Sequence, residues 1–201
     1  MTRSVFKSIL LITLLLASLA PCAAQRKRKA KSRVVSKPAA PRVVEEIPQA
    51  WKEFAPPEGL FSIEFPGDPR PSDASGNPNV HDFALTTTTA IYGAGYLDFA
   101  KSDDADEAEF ASKLIEDTTK QMTAVADTTL DRQTDMLLDS HPGRELRLRL
   151  PEDSIYIDRM YVVGARLYQL SIAIKGYYAN PQKKGFHDWM IAKFFESFKL
   201  K

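Results

Sequence analysis

Residues 61–65 read Phe-Ser-Ile-Glu-Phe, with Phe61, Ile63 and Phe65 on one face and polar residues between them. This strict alternation predicts a half-buried strand, and Pro66-Gly67-Asp68-Pro69 stops it. Residues 72–78 form a loop, and 80–87 and 90–99 read as two further strands rich in Thr, Tyr and Phe. The period then changes. Over residues 103–126, Ala111, Leu114, Ile115, Thr118, Met122 and Val125 recur at spacings of three and four, which predicts a helix packed by one stripe. Ser102, Asp103 and Asp104 are N-cap candidates, and Asp106 and Glu107 sit near the positive end of its dipole. Glu109–Lys113 and Glu116–Lys120 are spaced as exposed i,i+4 pairs.

Strands then resume over residues 129–138, 145–150, 155–163 and 167–175. Pro142-Gly143 fits the centre of a type II turn. After it, Leu146, Leu148 and Leu150 alternate with Glu145, Arg147 and Arg149, and the polar set is expected to pair with acids such as Asp135 or Asp158. Tyr168, Leu170, Ile172 and Ile174 share a face. Residues 186–198 form a closing helix, with Phe186, Trp189, Met190, Phe194 and Phe198 available for the core. The order is βββ-α-ββββ-α. Short turns between consecutive strands argue for an α+β layered fold, an antiparallel sheet of six to seven strands with packed helices.

The N-terminal region has a different pattern. Arg3 and Lys7 precede an apolar run from Ile9 to Leu19, and small residues follow to Cys22-Ala23-Ala24. This is the layout of a signal peptide over residues 1–24, too short in its apolar part to span a ~30 Å hydrocarbon core. The expected mature chain starts at Gln25 and is exported, periplasmic or secreted. Cys22, the sole cysteine, would then be removed, leaving no disulfide or thiol chemistry. Leu19-Ala20-Pro21-Cys22 also resembles a lipobox, which makes lipidation of Cys22 the alternative.

The formal charge of +1 hides a segregated chain. Arg26, Lys27, Arg28, Lys29, Lys31, Arg33, Lys37 and Arg42 give residues 25–42 a charge of +8, with no acid before Glu45. The rest, from Val43, carries 17 Lys/Arg against 26 Asp/Glu, a net −9. Residues 25–50 are basic, contain Pro38, Pro41 and Pro48, and read as a disordered linker before a folded domain at 51–201. Arg26, Lys27, Arg28, Lys29, Lys31 and Arg33 are the candidate contacts to an anionic envelope surface or an acidic protein. Nucleic acid is not expected, since the arm has no stacking aromatics. Contact with a membrane would be peripheral, or through lipidated Cys22.

No catalytic or cofactor motif stands out. His81, His141 and His187 show no HxH or HExxH spacing. There is no GxSxG elbow. Tyr92-Gly93-Ala94-Gly95-Tyr96 holds a GxG without the third glycine or helix of a dinucleotide site, so close backbone approach or a bulge is the better reading. The acids Asp103, Asp104, Asp106, Glu107 and Glu109 lack the alternating ligands and glycine of a calcium loop. No catalytic residue, metal ligand or cofactor is assigned.

Four patches belong together: 59–66 (GLFSIEFP), 141–146 (HPGREL), 166–172 (RLYQLSI) and 194–200 (FFESFKL). They resemble a group of exported bacterial proteins of unknown function whose fold is similar to that of PsbP, an extrinsic photosystem II protein. The resemblance implies a PsbP-like α+β sandwich over about residues 51–200 and transfers no binding residue. The functional expectation is an exported, non-enzymatic accessory or binding module of the cell envelope. The alternatives are a hydrolase or metal-dependent enzyme whose site assembles only in the fold, and a purely structural envelope protein.

Overall fold

The computed structural model describes residues 50–72, 77–100 and 106–201. The signal-peptide reading of 1–24, Cys22, and the candidate contacts Arg26 to Arg33 lie outside the described residues.

The main sheet has seven strands: β3 (Arg70–Pro71), β4 (Val80–Thr86), β5 (Ala90–Asp98), β6 (Thr129–Leu138), β7 (His141–Leu150), β8 (Ser154–Val163) and β9 (Arg166–Ile174). Their order is β3-β4-β5-β9-β8-β7-β6, and every pairing is antiparallel. The long helix α1 (Glu107–Thr123) carries the chain from β5 to the far edge. From there β6 to β9 return as a meander, until β9 pairs with β5. A second sheet of β1 (Lys52–Phe54), β2 (Phe61–Phe65) and β10 (Lys199–Leu200) has β2 at its centre. The second helix, α2 (Lys184–Glu196), follows a 3-10 turn at Pro181–Lys183.

Directly opposed residues in antiparallel strands share a face, so the register divides the side chains into two sets. One face of the main sheet packs on α1, with Leu146, Leu148, Met160 and Leu167 against Ala111, Leu114, Ile115 and Met122. The other packs on α2 and β2. There Tyr168, Leu170, Ile172 and Ile174 meet Phe61, Ile63, Phe65, Met190 and Phe194. Both faces of the central strands are therefore covered.

This double coverage changes several expectations. The second face of β7 is not a solvated polar stripe: Glu145 is buried and Arg147 half-buried. Arg147 pairs with Glu145 at 2.8 Å and Arg149 with Asp131 at 3.8 Å. Asp135 binds Arg144 instead, and Asp158 sits on the opposite face from Arg147. The hairpin turn lies at Asp139-Ser140, where Asp139 adopts φ +54°, rather than at Pro142-Gly143. Gly143 is inside β7 because a Cβ there would lie 2.5 Å from the Met160 carbonyl oxygen and closer still to the Tyr161 ring.

The α1 cap is Asp106, whose carboxylate accepts from the Ala108 and Glu109 amides. The cap candidates Ser102, Asp103 and Asp104 lie outside the described residues. Val125 falls past the helix end. Lys113 pairs with Asp117, not Glu109, while Glu116–Lys120 forms as expected. In α2, Trp189 is 47% exposed, and the buried stripe gains Ile191 and Phe195.

Candidate functional site

Across the α1 face the register lines up two polar rows. Ala84, Gly93, Ser171 and Asp158 form one, and Asp82, Gly95, Gln169 and Met160 the other. Apolar rows flank them, with Ile91, Ala173 and Tyr156 on one side and Val80, Leu97 and Leu167 on the other. The two glycines of the GxG are close-approach positions, in line with the sequence reading. A Cβ on Gly93 would lie 2.6 Å from Ser171 Oγ, and one on Gly95 would overlap the Asp82 carboxylate. Their bareness lets Asp82 and Ser171 lean over β5.

Asp158 is fully buried. Its Oδ1 accepts from Gln169 Nε2 at 2.9 Å and from the Tyr156 hydroxyl at 3.3 Å. Its Oδ2 and the Oε1 of the buried Gln169 have no partner. Burial raises the Asp158 pKa to about 7, opposed by the bonds from Gln169 and Tyr156. Burial alone raises Asp82 to about 6. The Tyr156 phenol is pushed well up by burial and then by the charge of Asp158, and it also feels Asp82. Burial thus lifts two carboxyls on one face toward neutral pH, with no cation among the influences on Asp158. Sequence inspection missed this cluster. The available signal was Asp158 itself, a lone acid among Tyr156, Met160 and Val162 on one face of its strand.

The opposite face holds a compensated network. Glu145 accepts from Arg147 Nε at 2.8 Å and Arg159 Nε at 2.7 Å, and Arg159 lies 4.5 Å from the Phe195 ring centre. Burial would raise the Glu145 pKa, but the two guanidinium bonds outweigh it and hold it low. Arg144 points the other way, to Asp135, Glu116 and Thr119, so Arg144 and Glu145 do not converge. At the sheet end, Arg166 grips Asp98 through two bonds of 2.6 and 2.9 Å and donates to the Glu58 and Gly59 carbonyls.

The three histidines stay apart. His81 stacks on Tyr96 at 4.4 Å. His141 opens β7. His187 is buried beneath Tyr177, and burial and then Lys183 lower its pKa. Among the described residues no group of three or more His, Cys, Asp or Glu is placed to hold a metal ion.

A third feature is aromatic. Trp189 stacks on Phe186 at 5.9 Å and meets Trp51 edge-on at 6.0 Å, with the Lys193 ammonium 6.0 Å from the Trp51 ring. Trp51 directly follows the 25–50 segment, whose last basic residue is Arg42. No helix among the described residues is long and apolar enough to cross a membrane.

No protein-family description matches the chain, and no curated protein matches it. Solved structures do. Cyanobacterial PsbP (CyanoP) from Synechocystis sp. PCC 6803 superposes with a TM-score of 0.50 at 10% identity, over 75% of this chain and 92% of that one. A protein of unknown function from Pseudomonas aeruginosa gives 0.37 at 13% identity, over 70% and 93%. A protein from Bacteroides thetaiotaomicron gives 0.41 at 11% identity, over 75% of this chain and 48% of that one. A seven-stranded antiparallel sheet with helices on both faces, superposing on cyanobacterial PsbP over three quarters of its length, gives this chain a PsbP-like fold.

Proposed function

We propose that this protein is an exported, non-enzymatic binding module that sits on an anionic surface of the cell envelope through its basic N-terminal arm. The observation that carries the reading is the aromatic cluster at the arm's junction. Trp189, stacked on Phe186 and against Trp51, is 47% exposed, and Trp51 follows nine residues after Arg42, the last of the arm's eight cations. Tryptophan favours a polar–apolar boundary, because its ring is apolar and its N–H polar. Each cation near an anionic bilayer adds ~1 kcal/mol, weakened by salt. The body carries −9 and competes for the arm, but the Debye length at 0.15 M salt is ~8 Å, so an array of lipid charge outcompetes scattered surface acids.

Co-sedimentation with phosphatidylglycerol and phosphatidylcholine vesicles across a salt series tests this. Binding to the anionic vesicles alone is expected. Changing Arg26, Lys27, Arg28 and Lys29 to Ser should abolish it, and Trp189→Ser should weaken it while preserving its salt dependence. Equal binding by the Ser variant, or none at low salt, overturns the reading.

A further inference from the structure

Two arginines of this fold spend their terminal nitrogens on the protein. Arg166 uses Nε and Nη2 on Asp98 and Nη1 on the Glu58 and Gly59 carbonyls. Arg144 uses Nε on Asp135 and Nη1 on Glu116 and Thr119. The arginines on the α2 side of β6 and β7 behave differently. Arg132 donates through Nε alone, to Thr134 Oγ1 at 3.1 Å, and Arg147 through Nε alone, to Glu145 Oε1 at 2.8 Å. Among the described residues, the terminal nitrogens of both are left without a hydrogen bond. The register brings these two forks together. Arg132 and Arg147 are directly opposed, and Thr134, Glu145 and Arg159 form the next row on the same face. Both side chains fold back onto that row. The second oxygen of Glu145 accepts from Arg159 Nε at 2.7 Å, so the Arg147 and Arg159 guanidiniums share one carboxylate. The Arg132 guanidinium is tied to Thr134, which directly opposes Glu145.

We propose that this row is the base of an anion site, in which the free forks of Arg132 and Arg147 grip a phosphate dianion, either the free ion or a monoester. Like charges directly opposed across strands are destabilising unless something lies between them. Here the excess is local. Arg132, Arg147, Arg149, Arg159 and Lys184 stand against the carboxylates of Glu145, Asp131 and Asp188, which leaves two positive charges uncompensated. The chain from Val43 onward is net −9, so this cationic side runs against its composition. A phosphate monoester carries about −1.5 to −2 at neutral pH and offers three acceptor oxygens, which match two guanidinium forks. A carboxylate is a monoanion that fills one fork and leaves the other. Both Glu145 oxygens are already occupied, so this carboxylate positions Arg147 and Arg159. Arg159 lies against Phe195 and reaches the Tyr161 hydroxyl, which fixes it as the back of the site. Access is open. Arg132 is exposed, and Thr134 and Arg147 are half-buried. The α2 helix packs chiefly on β2 and β9, and the row runs past it to the sheet edge at β6.

Titration of the full chain at constant ionic strength, followed by 1H–15N amide shifts, tests the assignment. The probes are sodium phosphate, glycerol phosphate and sodium acetate. Saturable shifts centred on β6, β7 and β8 are expected with phosphate and glycerol phosphate, and none with acetate. The ratio of the two affinities tells a free ion from a monoester headgroup as the source. Arg132→Gln removes one fork at an exposed position whose only hydrogen bond is to Thr134, and should weaken phosphate binding about tenfold. Arg147→Lys keeps the charge and loses the fork, and should weaken it as well. If Arg147→Lys disturbs the spectrum of the free protein, Arg132→Gln alone decides. No saturable shift with either phosphate, shifts that avoid β6 and β7, equal binding of acetate, or undiminished binding by Arg132→Gln would each overturn the proposal.

Discussion

Asp158→Asn should stabilise the protein in alkaline solution and leave it nearly unchanged in acid. Asp158 is fully buried, with one oxygen bonded and the other unpaired. Burial raises its pKa from 3.8 to about 7. A carboxyl whose pKa is raised by folding holds its proton more tightly in the native state than in the unfolded chain. Its stabilising contribution is therefore fully present below pH 3.8 and disappears as pH climbs to about 7. At 1.36 kcal/mol per pH unit, that interval amounts to about 4 kcal/mol. Asparagine keeps an acceptor for Gln169 and Tyr156 and carries no charge at any pH. Urea denaturation of both proteins from pH 4 to pH 8.5 reads the difference. Asp82, raised to about 6, titrates in both and largely drops out of the comparison. The expected stability gain of the variant rises from near zero at acid pH to ~4 kcal/mol above pH 7. A gain that does not change with pH would refute the burial argument.

Ile172→Ala removes a fully buried side chain from β9 at the sheet centre and should cost ~2–5 kcal/mol in urea denaturation. Gly143→Ala should cost ~1–3 kcal/mol, because its methyl meets the Met160 carbonyl oxygen, a backbone atom that cannot rotate away. Thermal unfolding should show a lowered midpoint. Asp106→Ala, which removes the α1 cap, should cost about 1 kcal/mol by the same assay.

Much of the fold was legible in the chain, because strand and helix periods are local properties. The bounds of β2 and β6 match the expected ones residue for residue, and the core sides of β2 and β9 follow from their alternation, although Ser62 on the other side of β2 is buried as well. The resemblance of four short patches to PsbP-like proteins agrees with the superposition. Very short strands escaped notice: β1, β3 and β10 have two or three residues each, too few for any period to show. The hairpin at Asp139-Ser140 escaped too, because Pro142-Gly143 is a stronger turn signal. The glycine answers instead to Tyr161, its partner across the strands.

The candidate sites divide in the same way. The charge of the arm is a property of composition and needs no fold to be read. Asp158 and Gln169 meet only because β9 lies beside β8, and Asp82 shares their face only because β9 also pairs with β5. Sequence alone fixed which residues alternate. It could not say that both faces of the alternation would be covered, since that depends on α1 crossing one side and α2 the other. Burial is a relation between elements distant along the chain. It turned Asp158 from an expected surface partner of arginine into a carboxyl held near neutrality in the core.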